Sequence, residues 1–387
     1  MSKLARRPLL ATAAALAATA APRLAAAQEN FPAIVVSAVE LSGGGAIAGT
    51  NFHNGVQLGI KEVNARGGVL GRQLASVTLD VQTSPEVAKA AVARTRALDA
   101  VALMGPVFSG TVAAVMEEIK ASGIPTFMGG EATSLTLQGA PNLFRTSLPQ
   151  AAAMPRLARY LREGMGVGTV AMVWVDNEFG RGGREAMTAA LAAEGVRLVA
   201  DLQAGPGQTD FAEVAAKVRE ADADAAFVYL NEIETPPCVQ AIHDAPYSKW
   251  LVGETTLISQ SVIDRTGEAI SGARGHVSLT PDALVPGVQA FADAYLRDFG
   301  YRSDHNGMKG YIAAHVLKAA AEKAGSLDRA AIVQAMKGLT LRAAEHPGVL
   351  LDVRYDDKGD PDRASFVVRV ANERQQFIAT LPPSSAF

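Results

Sequence analysis

Near the start of the chain, residues 33–39 read Ala33-Ile34-Val35-Val36-Ser37-Ala38-Val39, a run rich in β-branched residues and free of charge. Residues 55–64 follow with apolar side chains at helical spacing and end at the glycine stop Arg66-Gly67-Gly68. Residues 74–81 then form a second β-branched run. A strand, a helix and a strand in this order predict a right-handed βαβ unit with parallel strands.

The same alternation continues along the chain in two series, which are separated near Pro149. The first series adds predicted strands over 101–105 and 124–128. The second series has predicted strands over 168–175, 197–201, 225–229 and 249–252. These series predict an α/β fold with two doubly wound parallel-sheet lobes. Ligands of such sheets bind outside the carboxyl ends of the strands, so two lobes that face each other there predict a cleft.

The first 27 residues predict a secretory signal peptide rather than part of the fold. Basic residues precede an apolar stretch over residues 9–18, and Ala25-Ala26-Ala27 supplies small residues for cleavage before Gln28. A proline and an arginine interrupt the apolar stretch before it reaches the roughly 20 residues of a membrane span. The adjacent Arg6 and Arg7 leave the twin-arginine export route open. We therefore expect a periplasmic protein.

Composition narrows the possible partners. The chain has 387 residues and a net charge of −3, and its first 27 residues hold four basic and no acidic side chains, so the mature chain of 360 residues carries −7. This length predicts two domains, and the acidic balance argues against nucleic acid or an anionic membrane as the partner. Cys238 is the one cysteine, so the chain has no internal disulfide, and we expect a buried thiol.

The sequence lacks the motifs of the common catalytic sites, and its six histidines show no metal-ligand spacing. We therefore expect no catalytic residue, no metal and no cofactor. One feature leaves alternatives open: the turn from Ser42 to Gly49 is rich in glycine and lies between a strand and a helix. It could cradle phosphate, offer its amides and the Ser42 hydroxyl to a small ligand, or be only a tight turn. Its glycine spacing fits the dinucleotide fingerprint poorly, and Asp80 lies too far along the chain for the acidic residue of that motif.

Several segments carry a resemblance to a known family. They are the opening from Leu41 to Ala46, residues 54–72, 105–111, 123–125, 177–182, 227–229 and the turn over 355–360. In this order they resemble the type I periplasmic binding proteins of the branched-chain amino acid class, which serve ABC importers. The resemblance covers essentially the whole mature chain.

The resemblance implies that a three-crossover hinge joins the two lobes, which close on a ligand. We expect an N-terminal lobe of residues 28–147 plus 278–362 and a C-terminal lobe of residues 148–277 plus 363–387. The partners that the family implies are a small molecule and an ABC permease in the inner membrane, and we expect the binding protein to be a monomer.

The resemblance also implies the position of the ligand. The loop around Ser109 matches a family site whose hydroxyls and amides hold an amino acid's carboxylate. In the second such loop, the family's threonine falls near Glu131 or Ala132, so this chain departs from the pattern. Phe179 matches an aromatic residue that covers the ligand, and Glu254 matches the acid that pairs with the α-ammonium. The candidate ligand-binding residues are Ser42, Phe108, Ser109, Gly130, Glu131, Ala132, Thr133, Phe179, Tyr229 and Glu254.

Other interpretations remain for three of these residues, because Ser109 or Glu254 could cap a helix and Phe179 could belong to the core. Glu232 and Glu234 add, with Glu131, unexpected acids near the predicted cleft. They are either solvated or indicate a ligand richer in hydrogen-bond donors than leucine, such as an amide or a polar amino acid.

Two functions of different classes are consistent with these features. The first is a solute-binding protein for import, which captures an amino acid, an amide, or an aromatic or aliphatic acid by closure of the cleft. The second is a soluble ligand-sensing partner of a membrane receptor or an exported enzyme built on the same fold. No nucleophile with a partnering base can be assembled from the sequence, which disfavours the enzyme.

Overall fold

The computed structural model describes residues 31–384, and the residues from Pro32 onward form one compact unit. The predicted signal peptide lies outside the described residues. Within them, the strands are β1 (Ala33–Val39), β2 (Leu74–Asp80), β3 (Ala102–Met104), β4 (Thr126–Met128), β5 (Leu143–Arg145), β6 (Thr169–Val175), β7 (Arg197–Ala204), β8 (Ala225–Tyr229), β9 (Trp250–Glu254), β10 (Arg274–Val277), β11 (Thr340–Leu341), β12 (Val353–Tyr355), β13 (Pro361–Arg363), β14 (Ser365–Ala371) and β15 (Arg374–Leu381).

Helices connect most of these strands. They are α1 (Ala46–Ala65), α2 (Pro85–Ala97), α3 (Ser109–Ala114), α4 (Met116–Ser122), α5 (Ser134–Leu137), α6 (Gln150–Arg159), α7 (Glu178–Ala193), α8 (Ala212–Glu220), α9 (Thr235–Asp244), α10 (Gln260–Thr266), α11 (Pro286–Phe299), α12 (His305–Ala324) and α13 (Arg329–Met336). A π-helical turn over Tyr160–Gly164 and 3-10 turns over Gly267–Ile270 and Pro347–Val349 complete the described helical structure.

The strands form two large sheets, which confirms the predicted α/β architecture with two doubly wound lobes. The sheet of the first lobe has the order β2-β1-β3-β4-β5 and is parallel throughout. The sheet of the second lobe has the order β15-β14-β10-β9-β8-β6-β7. Its strands from β10 to β7 are parallel, whereas β14 and β15 add an antiparallel edge. The strands β11, β12 and β13 form a small antiparallel sheet.

Local sequence signals set several element boundaries. The predicted strands over 33–39 and 225–229 coincide with β1 and β8. Ser84 caps α2, because its side chain accepts a hydrogen bond from the amide of Val87, and Pro85 follows in the first turn. The segment between β3 and β4 holds two short helices, α3 and α4, which meet at Val115. The antiparallel strands β14 and β15 were not predicted.

Helix α12 returns to the first lobe and packs along α1. Sixteen of its 20 residues are buried, so it is a core element rather than a surface helix. The contact is close because Gly310 has no side chain: a Cβ there would lie 1.9 Å from the carbonyl oxygen of Phe52. Asp304 begins the helix by accepting hydrogen bonds from the amides of Asn306 and Gly307. This packing fixes the first turns of α12 next to the cleft.

Two further features are the burial of the cysteine and the limited length and apolarity of the described helices. Cys238 lies on α9 and is fully buried, as predicted, and burial raises the pKa of its thiol. None of the helices within residues 31–384 has both the length and the apolar character needed to cross a membrane.

Candidate functional site

A cavity of about 550 Å³ lies where the two sheets present the carboxyl ends of their strands. Loops that follow β1, β2, β3 and β4 of the first lobe line one side, together with the start of α12. Loops that follow β6, β7, β8 and β9 of the second lobe line the other side. Its size suits a small-molecule ligand, and its position is the one expected for an open α/β sheet.

Four backbone amides of the first-lobe wall are already occupied by the chain's own side chains. Glu40 is fully buried and accepts hydrogen bonds from the amides of Val107 at 3.0 Å and Phe108 at 3.2 Å. Burial raises the pKa of this carboxyl above its ordinary value. The Ser109 hydroxyl oxygen accepts hydrogen bonds from the amides of Glu131 and Ala132, each at 3.2 Å. These four amides are therefore not free to hold a ligand's carboxylate.

A buried ion pair lies in the same wall. Lys309 Nζ, on α12, is 2.6 Å from Glu131 Oε1, and the two residues are 2% and 7% exposed. Lys309 also donates to the carbonyl of Gly129 and to Asn306 Oδ1. Burial raises the pKa of the Glu131 carboxyl, and the Lys309 ammonium opposes that rise. Each charge stabilises the other, because burial of an unpaired charge has a large unfavourable free energy.

The loop that carries Glu131 is held from behind by Arg145. Its buried guanidinium donates to the carbonyl oxygens of Gly130 at 2.5 Å and Ala132 at 3.1 Å, and its Nε donates to Asp360 at 2.7 Å. A planar guanidinium with several donors suits such a multiple contact. The loop conformation is thus fixed independently of any ligand.

An aromatic stack forms part of the second-lobe wall. The rings of Phe179 and Tyr229 are stacked with their centroids 4.2 Å apart. Tyr229 can approach α7 because Gly183 has no side chain: a Cβ there would lie 2.0 Å from Tyr229 Cε1. Gln150 Nε2 donates to the Tyr229 hydroxyl at 2.9 Å and to the Phe179 carbonyl at 2.8 Å. The stack is therefore anchored at the start of α6.

The loops after β7 and β8 bring two acids to the cavity. Glu232 and Glu234 line it and are 5% and 3% exposed. Glu234 Oε1 accepts a hydrogen bond from the amide of Gly207 at 2.6 Å, whereas its buried Oε2 has no partner among the described residues. Burial, together with Asp304, raises the pKa of Glu232 to about 7.

Among the described residues, two hydrogen bonds between side chains cross the cleft beside the cavity. Asn306 Nδ2, from the first lobe, donates to Glu232 Oε1 of the second lobe at 3.3 Å. The Ser134 hydroxyl, also from the first lobe, donates to Glu178 Oε1 of the second at 2.6 Å. The structure therefore shows the two lobes in direct contact around the cavity.

Glu254 lies outside the cavity lining, at the end of β9. Its Oε1 accepts a hydrogen bond from the Thr255 hydroxyl at 2.6 Å and lies 3.1 Å from His276 Nδ1. Its Oε2 is buried without a partner among residues 31–384. The negative charge of Glu254 contributes to the raised pKa values of Glu131 and Tyr229. It thus influences the cavity electrostatically, while the residue that lines the cavity from this loop is Thr256.

The cavity lining includes four of the ten candidate residues: Phe108, Ser109, Glu131 and Phe179. The other six lie around it without lining it: Ser42, Gly130, Ala132, Thr133, Tyr229 and Glu254. Ser42 is exposed, and its hydroxyl donates to Asp80 at 2.7 Å. Asp80 and Thr83 also accept hydrogen bonds from the amides of Leu41, Ser42 and Gly45. The glycine-rich turn therefore has internal partners for these amides.

Sequence reasoning missed several lining residues. Lys309 and Asn306 had no motif to mark them, because they lie in an alanine-rich helix far along the chain. His305 also lines the cavity, and burial, with the Lys309 charge, holds its pKa well below the ordinary value. The signal that could have located these residues is Asp304, a capping residue at the start of a long helix. No group of three or more histidine, cysteine or acidic side chains within residues 31–384 could hold a metal ion.

The chain was compared with known protein families and with known proteins. A family model described as periplasmic binding protein matches residues 35–376, and the chain belongs to that family. The curated relatives include the Leu/Ile/Val-binding protein BraC3 of Rhizobium johnstonii, which is 26% identical over 331 residues and covers 84% of this chain and 88% of its own length. A Leu/Ile/Val-binding protein homolog of Brucella melitensis is 24% identical over 348 residues, with 84% and 86% covered.

Solved structures share the fold. The leucine-binding protein LivK of Thermotoga maritima has a TM-score of 0.82 at 20% identity, covering 91% of this chain and 99% of its own. A solute-binding protein of an R. palustris ABC transporter, in complex with benzoate, has a TM-score of 0.83 at 18% identity, covering 92% and 98%. The chain is a type I periplasmic binding protein of the branched-chain amino acid class, and its role is to bind a solute.

Proposed function

We propose that this protein is the extracytoplasmic solute-binding component of an ABC importer, which captures an amino acid or a related small molecule by closing its two lobes. One observation carries the proposal: a cavity of about 550 Å³ is lined by strand-end loops of both lobes. A solute that contacts both walls stabilises the closed arrangement relative to the open one. The names of the relatives, a Leu/Ile/Val-binding protein and a Leu/Ile/Val-binding protein homolog, support this role.

Closure requires a hinge between the lobes. We propose that the chain crosses between them near residues 147/148, 277/278 and 362/363. The assignment of β14 and β15 to the second sheet supports the last crossing. The hydrogen bonds Asn306–Glu232 and Ser134–Glu178 would form on closure and break on opening. The solute leaves unchanged, and the closed surface is what a membrane permease would recognise.

We further propose that the protein works in the periplasm as a monomer after removal of residues 1–27. A signal peptide that is cleaved before Gln28 would leave the folded unit free of its apolar N-terminus. Mass spectrometry of protein isolated from the periplasm would show the new N-terminus, and an intact N-terminus would contradict this part of the proposal.

Thermal unfolding combined with small-angle X-ray scattering tests the proposed function. The mature protein is unfolded and refolded to remove captured solute, and is then mixed with amino acids, amides, aromatic acids and aliphatic acids. A ligand at 100 times its Kd should add about 2.7 kcal/mol to the free energy of unfolding. The same ligand should reduce the radius of gyration. Scattering profiles that superimpose with and without a stabilising ligand would contradict closure.

A matched pair of variants connects the binding to the cavity. Phe179 lines the cavity, whereas Phe377 lies on β15 and is 43% exposed. We expect Phe179→Ala to weaken binding of the stabilising ligand at least about tenfold, because an aromatic wall of the site is lost. Phe377→Ala should leave the affinity unchanged. Equal effects of the two substitutions would indicate that the ligand binds elsewhere.

A further inference from the structure

The side chains that line the cavity carry an excess of negative charge. Five of them are carboxyl groups, and two are permanently cationic. The imidazole of His305 adds no charge, because its pKa is held well below the ordinary value. With all carboxyl groups ionised, the lining therefore has a formal excess of three negative charges. The five acids and two cations are Glu131, Asp176, Glu178, Glu232, Glu234, Arg181 and Lys309.

The excess lies on the second lobe. Glu131 is paired with Lys309 and Asp176 is paired with Arg181. The three remaining acids have uncharged partners: the Ser134 hydroxyl for Glu178, the Asn306 amide for Glu232 and the Gly207 amide for Glu234. Arg265, the nearby cation, donates to the main-chain oxygen of Glu232 and not to its carboxylate.

One of these acids also has an unused acceptor. Glu234 lines the cavity and is 3% exposed, and its Oε2 has no hydrogen-bond partner among the described residues. A buried carboxylate oxygen without a partner is costly, because it has lost its hydration and gained nothing in return. A donor supplied by a ligand would remove that cost.

Several donors of the first-lobe wall are already used by the chain itself. The amides of Val107 and Phe108 already donate to Glu40, and those of Glu131 and Ala132 donate to Ser109. The ammonium of Lys309 is occupied by Glu131. A ligand's carboxylate that bound to any of these donors would have to displace an internal partner and would lie close to the Glu131 carboxylate.

We propose that the cavity selects an organic cation, such as an amine, an amidine or a guanidinium compound, whose positive group binds against Glu232 and Glu234. This inference rests on the proposed function and narrows its solute to a charge class. A cation that is desolvated between two carboxylates gains charge-assisted hydrogen bonds and relieves the repulsion between the acids. The apolar remainder of the solute would contact Val107, Phe108, Phe179 and Ile233, which also line the cavity.

Isothermal titration calorimetry with compounds of matched shape and different charge tests this inference. One set is benzamidine, benzamide and benzoate, and the other is isopentylamine, isovaleramide and isovalerate. A third comparison sets isoleucinamide against isoleucine, which differ by a carboxylate. In every set in which binding is observed, we expect the cationic compound to have a Kd at least tenfold lower than the Kd of the other compounds of that set.

Two isosteric variants and a control assign the effect to residues. Glu234→Gln and Glu232→Gln keep the side-chain shape, so circular dichroism and thermal unfolding can verify that they fold. Each should raise the Kd of the cation at least tenfold and change that of the neutral compound less than threefold. Glu213, on α8 of the same lobe, has a side chain that is 81% exposed, so Glu213→Gln should change neither.

The possible outcomes separate this inference from the proposed function. A neutral, anionic or zwitterionic compound that binds tightest and compacts the protein overturns the inference and leaves the function standing. The inference alone is also overturned if Ca²⁺ or Mg²⁺ by itself stabilises the protein, or if both glutamine variants bind the cation like the unmodified chain. If no compound binds in the calorimetric titrations and none stabilises the protein in thermal unfolding, the inference and the proposed function are overturned together.

Discussion

The side-chain amide of Asn306 donates a hydrogen bond to Glu232 Oε1 across the cleft, at 3.3 Å. Asn306 lies in the first turn of α12 and also accepts a hydrogen bond from Lys309. The series Glu131–Lys309–Asn306–Glu232 therefore connects the two lobes through consecutive polar contacts. Asn306 is the member of this series whose contact spans the two lobes, so we expect the proposed closure to depend on it.

The first prediction concerns this contact. Asn306→Ala removes a donor whose acceptor belongs to the other lobe, and a hydrogen bond to a charged group contributes about 1.5–3 kcal/mol. We expect ligand affinity to fall roughly tenfold and the ligand-free protein to have a larger radius of gyration by small-angle scattering. Asn54→Ala is the control, because Asn54 donates to Tyr301 within the first lobe. If both variants scatter alike, the contact does not govern closure.

The second prediction concerns the buried ion pair. Lys309→Met leaves the Glu131 carboxylate without its cation, and removal of one partner of a buried pair costs about 3–5 kcal/mol of stability. Urea unfolding should show this loss, and Lys309→Met combined with Glu131→Gln should recover much of it. Lys61→Met removes an equally short contact to Asp298, but the Lys61 side chain is 65% exposed, so about 0–1 kcal/mol is expected. Equal losses for the two single variants would contradict the role of burial.

The third prediction concerns the aromatic stack. The Cβ in Gly183→Ala would occupy the position of the Tyr229 ring, and overpacking of this kind costs about 1–3 kcal/mol. We expect both the free energy of unfolding and the ligand affinity to fall, because Phe179 moves with Tyr229. Gly287→Ala on α11 is the control, since its Cβ meets nothing closer than 3.6 Å. That control should be neutral or slightly stabilising in thermal unfolding.

The fourth prediction concerns pH. Burial and the Asp304 charge raise the pKa of Glu232 from 4.5 to about 7, while Lys309 lowers it and Glu131 raises it. Arg265 touches only the main chain of Glu232. The folded state then binds more protons than the unfolded state between these pH values, so stability must fall as pH rises from about 4.5 to about 7. At about 1.4 kcal/mol per pKa unit, Glu232 contributes a decrease of up to about 3 kcal/mol.

Denaturant unfolding of the ligand-free protein at a series of pH values measures this decrease. Glu232→Gln should make the decrease over that range smaller. A residual slope should remain from Asp304, whose pKa is raised to about 6, and from Glu40 and Glu131, whose pKa values burial also raises. Binding of a cation should tighten about tenfold between pH 6 and pH 8, because the cation requires the ionised carboxylate of Glu232. An unchanged pH profile in Glu232→Gln would assign the titration to another group.

The sequence predicted the elements whose boundaries depend on neighbouring residues. The β-branched run Ala33–Val39 is a local signal, and the structure confirms the predicted strand. The start of α2 at Ser84 and Pro85 rests on an equally local capping contact. Strand β14 has a similar composition, but its antiparallel pairing with β10 joins Arg369 to Arg274 and Phe366 to Val277, which are far apart in the chain. No local pattern records such a pairing.

The site was less predictable for the same reason. Phe108, Ser109 and Phe179 follow strands, so strand-end geometry was enough to bring them to the cavity. Lys309 reaches it because α12 packs along α1, a relationship set by tertiary contacts and the missing side chain of Gly310. Glu131 stood out as a departure from the family pattern, but its partner could not be identified without the fold. The sequence also gave no sign that Glu40 and Ser109 accept hydrogen bonds from amides of the first-lobe wall, because these contacts join residues that are far apart in the chain.

The burial of Cys238 has a practical consequence. Its thiol is fully buried and its pKa is raised, so the thiolate that reacts with maleimide dyes is scarce and inaccessible. A cysteine introduced at the surface would therefore be labelled selectively, without removal of the natural one. Gly110 is exposed, borders the cavity and has open space around its Cα, which makes Gly110→Cys a suitable attachment point. The labelled protein would report solute capture as a change in fluorescence, and so would serve as an optical sensor for its own ligand.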